Sequence, residues 1–226
     1  MLLLLVATEA ELWAVRRAMP ASRQDVSLLM TGMGSENASF VLQQALCQYK
    51  PTAVLVLGLA GALSKALTVG EVVVYSACRD EKGRSFSVSH KEVVTYLRDT
   101  PLRVSVGVGL TLPKMVCSTW EKSFLSAEAI AVDMESYGIL EVASNSGVAV
   151  SVARVISDDA LRDLPDLSQA ITPEYKLDSY KVLRSFLSQP IAAARFVHGV
   201  GKSLQILTVL AGLLVKRYSA VSKNNS

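Results

Sequence analysis

Residues suited to acid–base chemistry gather at the ends of five apolar segments of this 226-residue sequence. Carboxyl groups there can donate or accept protons and stabilise positive charge, while glycines let the backbone approach a ligand closely. Each ending taken alone is also explained as the cap of a following helix. The two histidines, His90 and His198, lie outside all five, which disfavours a Ser/His/Asp triad and a histidine metal site. The endings are residues 8–11, 31–35, 58–61, 133–136 and 157–159.

The elements that would position these endings alternate along the chain. Apolar, β-branched or leucine-rich runs predict strands at residues 2–7, 26–30, 53–57, 69–75, 102–108, 130–132 and 148–156. Helical patterns cover residues 9–19, 35–49, 121–128, 135–146, 173–187 and 191–218. The alternation indicates an α/β fold: a single-domain, three-layer αβα sandwich over residues 1–226 with a mixed, mainly parallel central sheet. Because ligands bind outside the carboxyl ends of parallel strands, we expect the five endings to converge on one crevice.

Composition indicates one globular domain rather than a disordered, collagenous or disulfide-stapled chain. Half of the residues are hydrophobic, with 13 glycines and 7 prolines. Cys47, Cys78 and Cys117 are too far apart for a CxxC pair, so we interpret them as buried hydrophobic residues in a reducing cytoplasm. The apolar N-terminal run has no basic start and is interrupted by Glu9 and Glu11, which predicts a buried first strand rather than a signal peptide.

Charge is distributed unevenly. Seven lysines and arginines and no acidic residue lie between residues 181 and 226. Residues 190–218 are expected to form a basic amphipathic helix of the same domain, whose apolar stretch at 204–215 is shorter than the roughly 20 residues that span a bilayer. Two interpretations stay open: the helix packs on the body or a partner subunit, or it makes peripheral contact with the inner face of the membrane. The acidic body and the absence of an aromatic platform argue against nucleic acid as a partner.

At these motifs the sequence resembles the purine nucleoside phosphorylase and nucleosidase superfamily, which includes methylthioadenosine/S-adenosylhomocysteine nucleosidases. The resemblance runs from Leu2 to about Asp163, and residues 58–63, 131–136 and 155–160 most resemble hopanoid-associated nucleoside phosphorylases. It implies cleavage of the bond between ribose C1′ and a purine nitrogen by water or phosphate. It also implies a homo-oligomer that needs no cofactor or metal, with inorganic phosphate as the one candidate co-substrate.

The resemblance implies a role for four side chains. Asp158 would protonate the purine at N7 with Ser157 orienting it, which requires a pKa raised by burial or by a like-charged neighbour such as Asp159. Glu135 would accept hydrogen bonds from the ribose 2′ and 3′ hydroxyls. Glu11 aligns with the carboxylate that activates water in the nucleosidases. For each carboxylate, the alternative is a capping or first-turn position on a helix.

Further binding residues follow from the same resemblance. Met134 would contact the sugar, Trp120 would supply an aromatic ring against the purine, and Arg154 would help to hold phosphate or act instead as an ion-pair partner. From their own pattern, Gly32 and Gly34 between a strand and a helix would bring free amides to an anion or a sugar oxygen, but a structural turn is the favoured alternative because the third glycine of GxGxxG is absent. The phosphate loop of the family corresponds to Gly58, Leu59, Ala60 and Gly61, but Leu59 replaces a common serine, and Val56 stands where some phosphorylases have arginine.

We therefore expect a cytoplasmic enzyme that cleaves a purine nucleoside, with adenine as the favoured base. The resemblance to the hopanoid-associated group suggests adenosylhopane as substrate. The alternatives are a soluble methylthioadenosine/S-adenosylhomocysteine nucleosidase, a futalosine hydrolase or, from another class, a non-catalytic nucleoside-binding protein.

Overall fold

The computed structural model describes residues 1–19, 25–167, 170, 172 and 178–224, with side chains to residue 218. Eight strands form one sheet, and helices cover its two faces. The strands are β1 (Leu2–Val6), β2 (Val26–Met30), β3 (Ala53–Ala62), β4 (Val72–Arg79), β5 (Ser85–Ser87), β6 (Val104–Thr111), β7 (Ala131–Asp133) and β8 (Val150–Asp158). The helices are α1 (Glu9–Ala18), α2 (Ser35–Tyr49), α3 (Lys91–Arg98), α4 (Thr119–Leu125), α5 (Ser136–Asn145), α6 (Ser179–Ser188) and α7 (Pro190–Asn224).

The sheet is mixed and mainly parallel, as the sequence predicts. Five strand pairs are parallel: β1 with β2 and β3, β3 with β8, β4 with β6, and β6 with β7. Three pairs, β3 with β7, β4 with β5 and β4 with β8, are antiparallel. Strands β3, β7, β6, β4 and β8 pair in a closed ring, which leaves β2 and β5 as the outer strands.

Two apolar cores lie on opposite faces of the sheet and produce the predicted αβα layering. Leu3 and Leu5 of β1 join α2 and α5 in one core, while Leu2 and Leu4 join α1, α3 and α7 in the other. Every residue of β1 is buried, which confirms the prediction of a first strand covered on both faces.

Helix α7 closes the second core with a helical stripe of five buried apolar residues: Leu207, Leu210, Ala211, Leu214 and Val215. By length and composition, its segment Pro190–Tyr218 is the one helix among the described residues that is long and apolar enough to cross a membrane, which differs from the expectation drawn from residues 204–215 alone. A third of the most apolar part of this segment is buried against the body.

Several element boundaries differ from the predicted ones. Strand β3 continues through residues 58–62, where the sequence suggests a loop, because the glycines there pair with β7 and β8. Strand β5 and helix α3 were not predicted. Helix α6 begins at Ser179, and residues 173–177 of the helix predicted there lie outside the described part of the chain. Cys78 is buried as expected, whereas Cys47 is exposed on α2, so its predicted burial is wrong.

Candidate active site

A cavity of about 340 Å³ lies where the five polar endings meet. Every ending contributes to its wall, so the expected convergence on one crevice is confirmed. The wall combines carboxylates with an apolar lining from α7 and the segment before α4. The contributing residues of the endings are Thr8, Ala10, Glu11, Met33, Leu59, Ala60, Gly61, Asp133, Met134, Glu135, Ser157 and Asp158.

The Glu11 carboxylate is buried and held by backbone amides. Its Oε2 accepts hydrogen bonds from the N–H groups of Thr8 (2.8 Å) and Ala7 (3.0 Å), and its Oε1 accepts one from Leu59 (2.7 Å). Thr8 and Glu11 also form a capping box at the start of α1. Glu11 therefore both caps α1 and lines the cavity. Since a carboxylate offers about four acceptor sites, three amide contacts leave room for one more donor.

Arg154 of β8 organises the acidic residues that follow β7. Its guanidinium is fully buried, lies 3.2 Å from Asp133 and 3.3 Å from Glu135, and donates to the Ser136 hydroxyl at 2.9 Å. Asp133 also accepts a hydrogen bond from the Thr111 hydroxyl at 2.8 Å. Two carboxylates thus share one guanidinium, so the net charge of the cluster depends on whether both of them are ionised.

The two carboxylates of this cluster have different proton affinities. Burial raises the pKa of Glu135 to about 7; Arg154 opposes this effect, while Asp133 and Glu11 add to it. Burial acts in the same direction on Asp133, but Arg154 and the hydrogen bonds from Ser136 outweigh it, so the pKa of Asp133 lies below its usual value. Asp133 is therefore a permanent anion, and Glu135 changes charge near neutral pH.

The structure corrects the phosphate role expected for Arg154. Its guanidinium does not line the cavity and is occupied by Asp133 and Glu135, so the ion-pair alternative is the observed one. Gly58 does not line the cavity either. A Cβ atom there would lie 2.6 Å from Arg154 Nη1 and 2.6 Å from Glu11 Oε1, so this glycine allows both side chains to pack against the strand.

Asp158 lies at the end of β8 and binds one partner through each carboxylate oxygen. Ser157 donates its hydroxyl to Oδ1 at 2.7 Å, as expected for an orienting serine. Lys122 of α4 forms an ion pair with Oδ2 and donates to the Asp159 carbonyl at 2.8 Å. The Asp159 carboxylate instead lies 3.8 Å from Arg162. A buried cation, and not the like-charged neighbour that the sequence suggests, therefore faces Asp158.

Gly32 and Gly34 shape a turn instead of lining the cavity, which Met33 between them does line. Both have positive φ, 77° and 90°, a conformation that favours glycine. The Gly34 N–H donates to Glu135 Oε1 at 3.1 Å. The anion expected at this helix start is therefore a carboxylate of the protein itself.

Trp120 is not brought to the cavity, which contradicts its predicted contact with the purine. Its side chain is 71% exposed and packs edge-on against Phe124, with ring centroids 4.5 Å apart. The cause is helical geometry, because Lys122 takes the inward face of α4 and residues two positions away on either side point outward.

Among the lining residues that the structure describes, Lys114 is the one with a positively charged side chain. Its ammonium lies 2.8 Å from Glu121, so it is already paired. In the described ranges, no group of three or more histidine, cysteine, aspartate and glutamate residues is arranged to hold a metal ion. The cavity as a whole is acidic and suited to acid–base chemistry on a neutral or cationic group.

The mixed α/β sheet with a carboxylate-lined cavity at its strand ends defines an α/β protein with a ligand site at the edge of its sheet. A family model described as the phosphorylase superfamily matches residues 18–188, more than half of the chain. The chain therefore belongs to the phosphorylase superfamily, as the resemblance implied.

Solved structures share the fold across nearly the whole chain. The 5′-methylthioadenosine/S-adenosylhomocysteine nucleosidase of Helicobacter pylori superposes with a TM-score of 0.75 at 17% identity, covering 96% of this chain and 97% of that one. The futalosine hydrolase of the same organism gives a TM-score of 0.74 at 17% identity, with the same coverage.

Among curated proteins, the ATP nucleosidase Cap17 of Escherichia coli is 24% identical over 197 residues. The match covers 63% of this chain and 39% of the relative, so the chain spans about two fifths of that protein's length.

Proposed function

We propose that the protein is a purine nucleosidase, which cleaves the bond between C1′ of a ribose and a purine nitrogen. The observation that carries the proposal is the meeting of Glu11, Glu135 and Asp158, from three distant parts of the chain, around one cavity of about 340 Å³. This reaction needs a proton for the departing purine, negative charge beside a cationic sugar, and a positioned nucleophile.

The three carboxylates match these needs. Asp158, oriented by Ser157, lies at the base end and passes a proton to the purine. Glu135 accepts hydrogen bonds from the ribose hydroxyls and stabilises the developing oxocarbenium ion, with Met134 against the sugar. Glu11 accepts the proton of the attacking water through the acceptor site that its three amide partners leave open.

Water is the nucleophile that the wall supports best. Phosphate needs cations or free donors, but Arg154 is buried behind Asp133 and Glu135, and Lys114 is paired with Glu121. Leu59 contributes no hydroxyl, and its N–H is bound to Glu11. Hydrolysis with Glu11 as general base is therefore favoured over phosphorolysis.

The nucleoside's 5′ substituent follows from the apolar part of the wall. Met115, Val116, Leu164, Phe196 and Val200 line the same cavity as the carboxylates. Such a lining suits an apolar substituent, as in methylthioadenosine or adenosylhopane, better than a charged one or the zwitterionic one of S-adenosylhomocysteine. Adenosylhopane is our first candidate because of the motif resemblance, with futalosine as a further alternative.

ATP is a competing candidate. A second cavity, of about 380 Å³, adjoins the first and shares Ser157, Asp158, Leu164 and Phe196 with it. Its wall carries Lys65, Arg162, Arg195 and Lys202, side chains of the type that binds phosphates, together with the acidic Asp159 and Asp163.

The test is chromatographic measurement of adenine release from methylthioadenosine, S-adenosylhomocysteine, adenosylhopane and ATP. For futalosine, the same chromatography measures release of the base that futalosine carries. Each substrate is supplied with and without phosphate, to wild type and to Asp158→Asn. We expect release from at least one nucleoside, no acceleration by phosphate, and loss of most turnover in the variant with binding retained. Binding of nucleosides without turnover would contradict the proposal and indicate a non-catalytic binding protein.

We further propose that the protein acts in the cytoplasm and contacts the inner face of the membrane through α6 and the start of α7. Tyr180, Leu183 and Leu187 lie on one helical stripe of α6, Ile191 lies at the start of α7, and all four are 56–76% exposed. No acidic residue follows Asp178, whereas Lys181 and Arg184 flank the stripe.

Sedimentation with phosphatidylglycerol vesicles tests this contact. We expect binding that weakens with salt and is lost in the Leu187→Asp/Ile191→Asp double variant. No sedimentation of the wild type would contradict it.

We also propose self-association through the exposed Trp120–Phe124 pair, which light scattering of Trp120→Ala tests; a monomeric wild type would contradict it.

A further inference from the structure

Lys122 is buried in a place that costs free energy. Its exposed fraction is 0%, and taking an ammonium group out of water costs several kcal/mol unless the charge is paired. A leucine or methionine would fill such a position at no such cost. The buried charge therefore calls for an explanation beyond packing.

The helix that carries Lys122 is tied to the segment that carries Asp158. At the start of α4, the Thr119 N–H donates to Asp163 at 2.6 Å, and the Leu164 N–H donates to the Cys117 carbonyl at 2.9 Å. These links hold Lys122 against Asp158, whose other oxygen is fixed by Ser157. The pair is a positioned unit.

The pairing changes how a proton reaches the purine. An ammonium beside a carboxylate favours the ionised carboxylate, and an ionised carboxylate has no proton to give. In the observed ion pair, the hydrogens lie on the Lys122 ammonium, which donates to Asp158 Oδ2 and to the Asp159 carbonyl.

Building on the proposed nucleosidase function, we infer that Lys122 is the proton source for the departing purine and that Asp158 relays the proton. As the C1′–N bond breaks, its electron pair stays on the purine; Asp158 first takes a proton from Lys122 at Oδ2 and then passes that proton to N7. Lys122 becomes a neutral amine, and Asp158 ends ionised. Water adds to C1′ and gives its proton to Glu11.

The second cavity provides the route by which the proton is replaced. Asp158 lines both cavities, and the second one is bordered by the exposed side chains of Lys65, Arg162 and Lys202. Water there reaches Asp158 without crossing the nucleoside cavity. Glu11 releases its proton to solvent, and Lys122 regains one through Asp158, so the cycle balances.

The test compares a purine nucleoside with p-nitrophenyl riboside, whose phenolate leaves without protonation. Lys122→Met removes the proton, and Lys122→Arg keeps the charge but does not release a proton near neutral pH. We expect both variants to lose about 10²–10⁴-fold in kcat on the purine nucleoside and less than about 10-fold on the phenyl riboside. Lys91→Met, at the exposed start of α3, is the matched control and should be unchanged.

The outcomes separate the alternatives. Equal losses on both substrates would show a structural role for Lys122 and overturn the inference, as would full activity of Lys122→Met. Recovery of the purine rate in Lys122→Arg would show that charge alone matters, which also overturns it. Cleavage of neither substrate by the wild type would overturn the proposed function itself.

Discussion

Replacing Glu11 by glutamine changes one atom in the candidate site and separates its two roles. The carboxylate caps α1 and, in the proposed reaction, removes a proton from water. Glutamine retains one carbonyl oxygen, but its NH₂ group cannot accept a hydrogen bond.

The structure gives the size of both effects. If the amide oxygen takes the Oε2 position, it keeps the Thr8 and Ala7 amides and loses the 2.7 Å bond from Leu59. One hydrogen bond to a charged group is worth about 1.5–3 kcal/mol, which for a domain of this size lowers Tm by about 3–12 °C. The protein stays folded at 25 °C, whereas loss of a general base lowers kcat by about 10²–10⁴-fold.

The assay combines calorimetric unfolding with adenine release under saturating nucleoside. Glu9→Gln is the matched control, because Glu9 lies in the same first turn but is exposed, and it should change neither quantity appreciably. A Glu11→Gln variant that loses stability but retains more than a tenth of wild-type kcat would refute the general-base role and leave Glu11 as a cap.

Three further predictions concern the network around Glu135. Because burial raises the pKa of Glu135 to about 7, kcat/KM should rise as the pH increases through that value and the carboxylate ionises. In a pH profile of kcat/KM from pH 5 to 9, this rise should be missing in Glu135→Gln. Arg154→Met leaves Asp133 and Glu135 without their cation and should cost about 3–5 kcal/mol in urea unfolding, so an unchanged midpoint would contradict the network. Gly58→Ala places a Cβ 2.6 Å from both Arg154 and Glu11 and should lower both Tm and kcat, whereas wild-type values would show that the strand has room there.

Much of the fold is readable from local patterns. Strand β2 and helix α2 begin and end where the sequence predicts, and β1 and α1 end one residue earlier than predicted. These elements have an unbroken apolar run or a clear helical period between polar endings. Strand β3 was predicted too short, because the glycines of residues 58–62 suggest a loop until their pairing with β7 and β8 is known.

The sequence predicts the site residues that lie at strand ends, but it does not predict those that lie on helices packed against the site. Glu11 follows β1 and Asp158 ends β8, and these strands run parallel to β3, so their carboxyl ends meet as the sequence predicts. Strand β7 is antiparallel to β3, and Glu135 reaches the cavity because β7 pairs with the last residues of β3, a register that the sequence does not show. Lys122 was missed because a lysine in a short polar helix normally lies in solvent, and burial depends on which face of α4 packs inward. For Arg154 the sequence leaves a phosphate role and an ion-pair role open, because charge partners across the fold are invisible in it; the structure shows the ion pairs.

A co-crystal structure with a non-hydrolysable adenine nucleoside tests the central claim most directly. We predict the purine N7 within hydrogen-bonding distance of Asp158, the ribose hydroxyls on Glu135, and a water between Glu11 and C1′. A nucleoside bound away from these three carboxylates, or bound with its base directed at Glu11, would contradict the proposed chemistry.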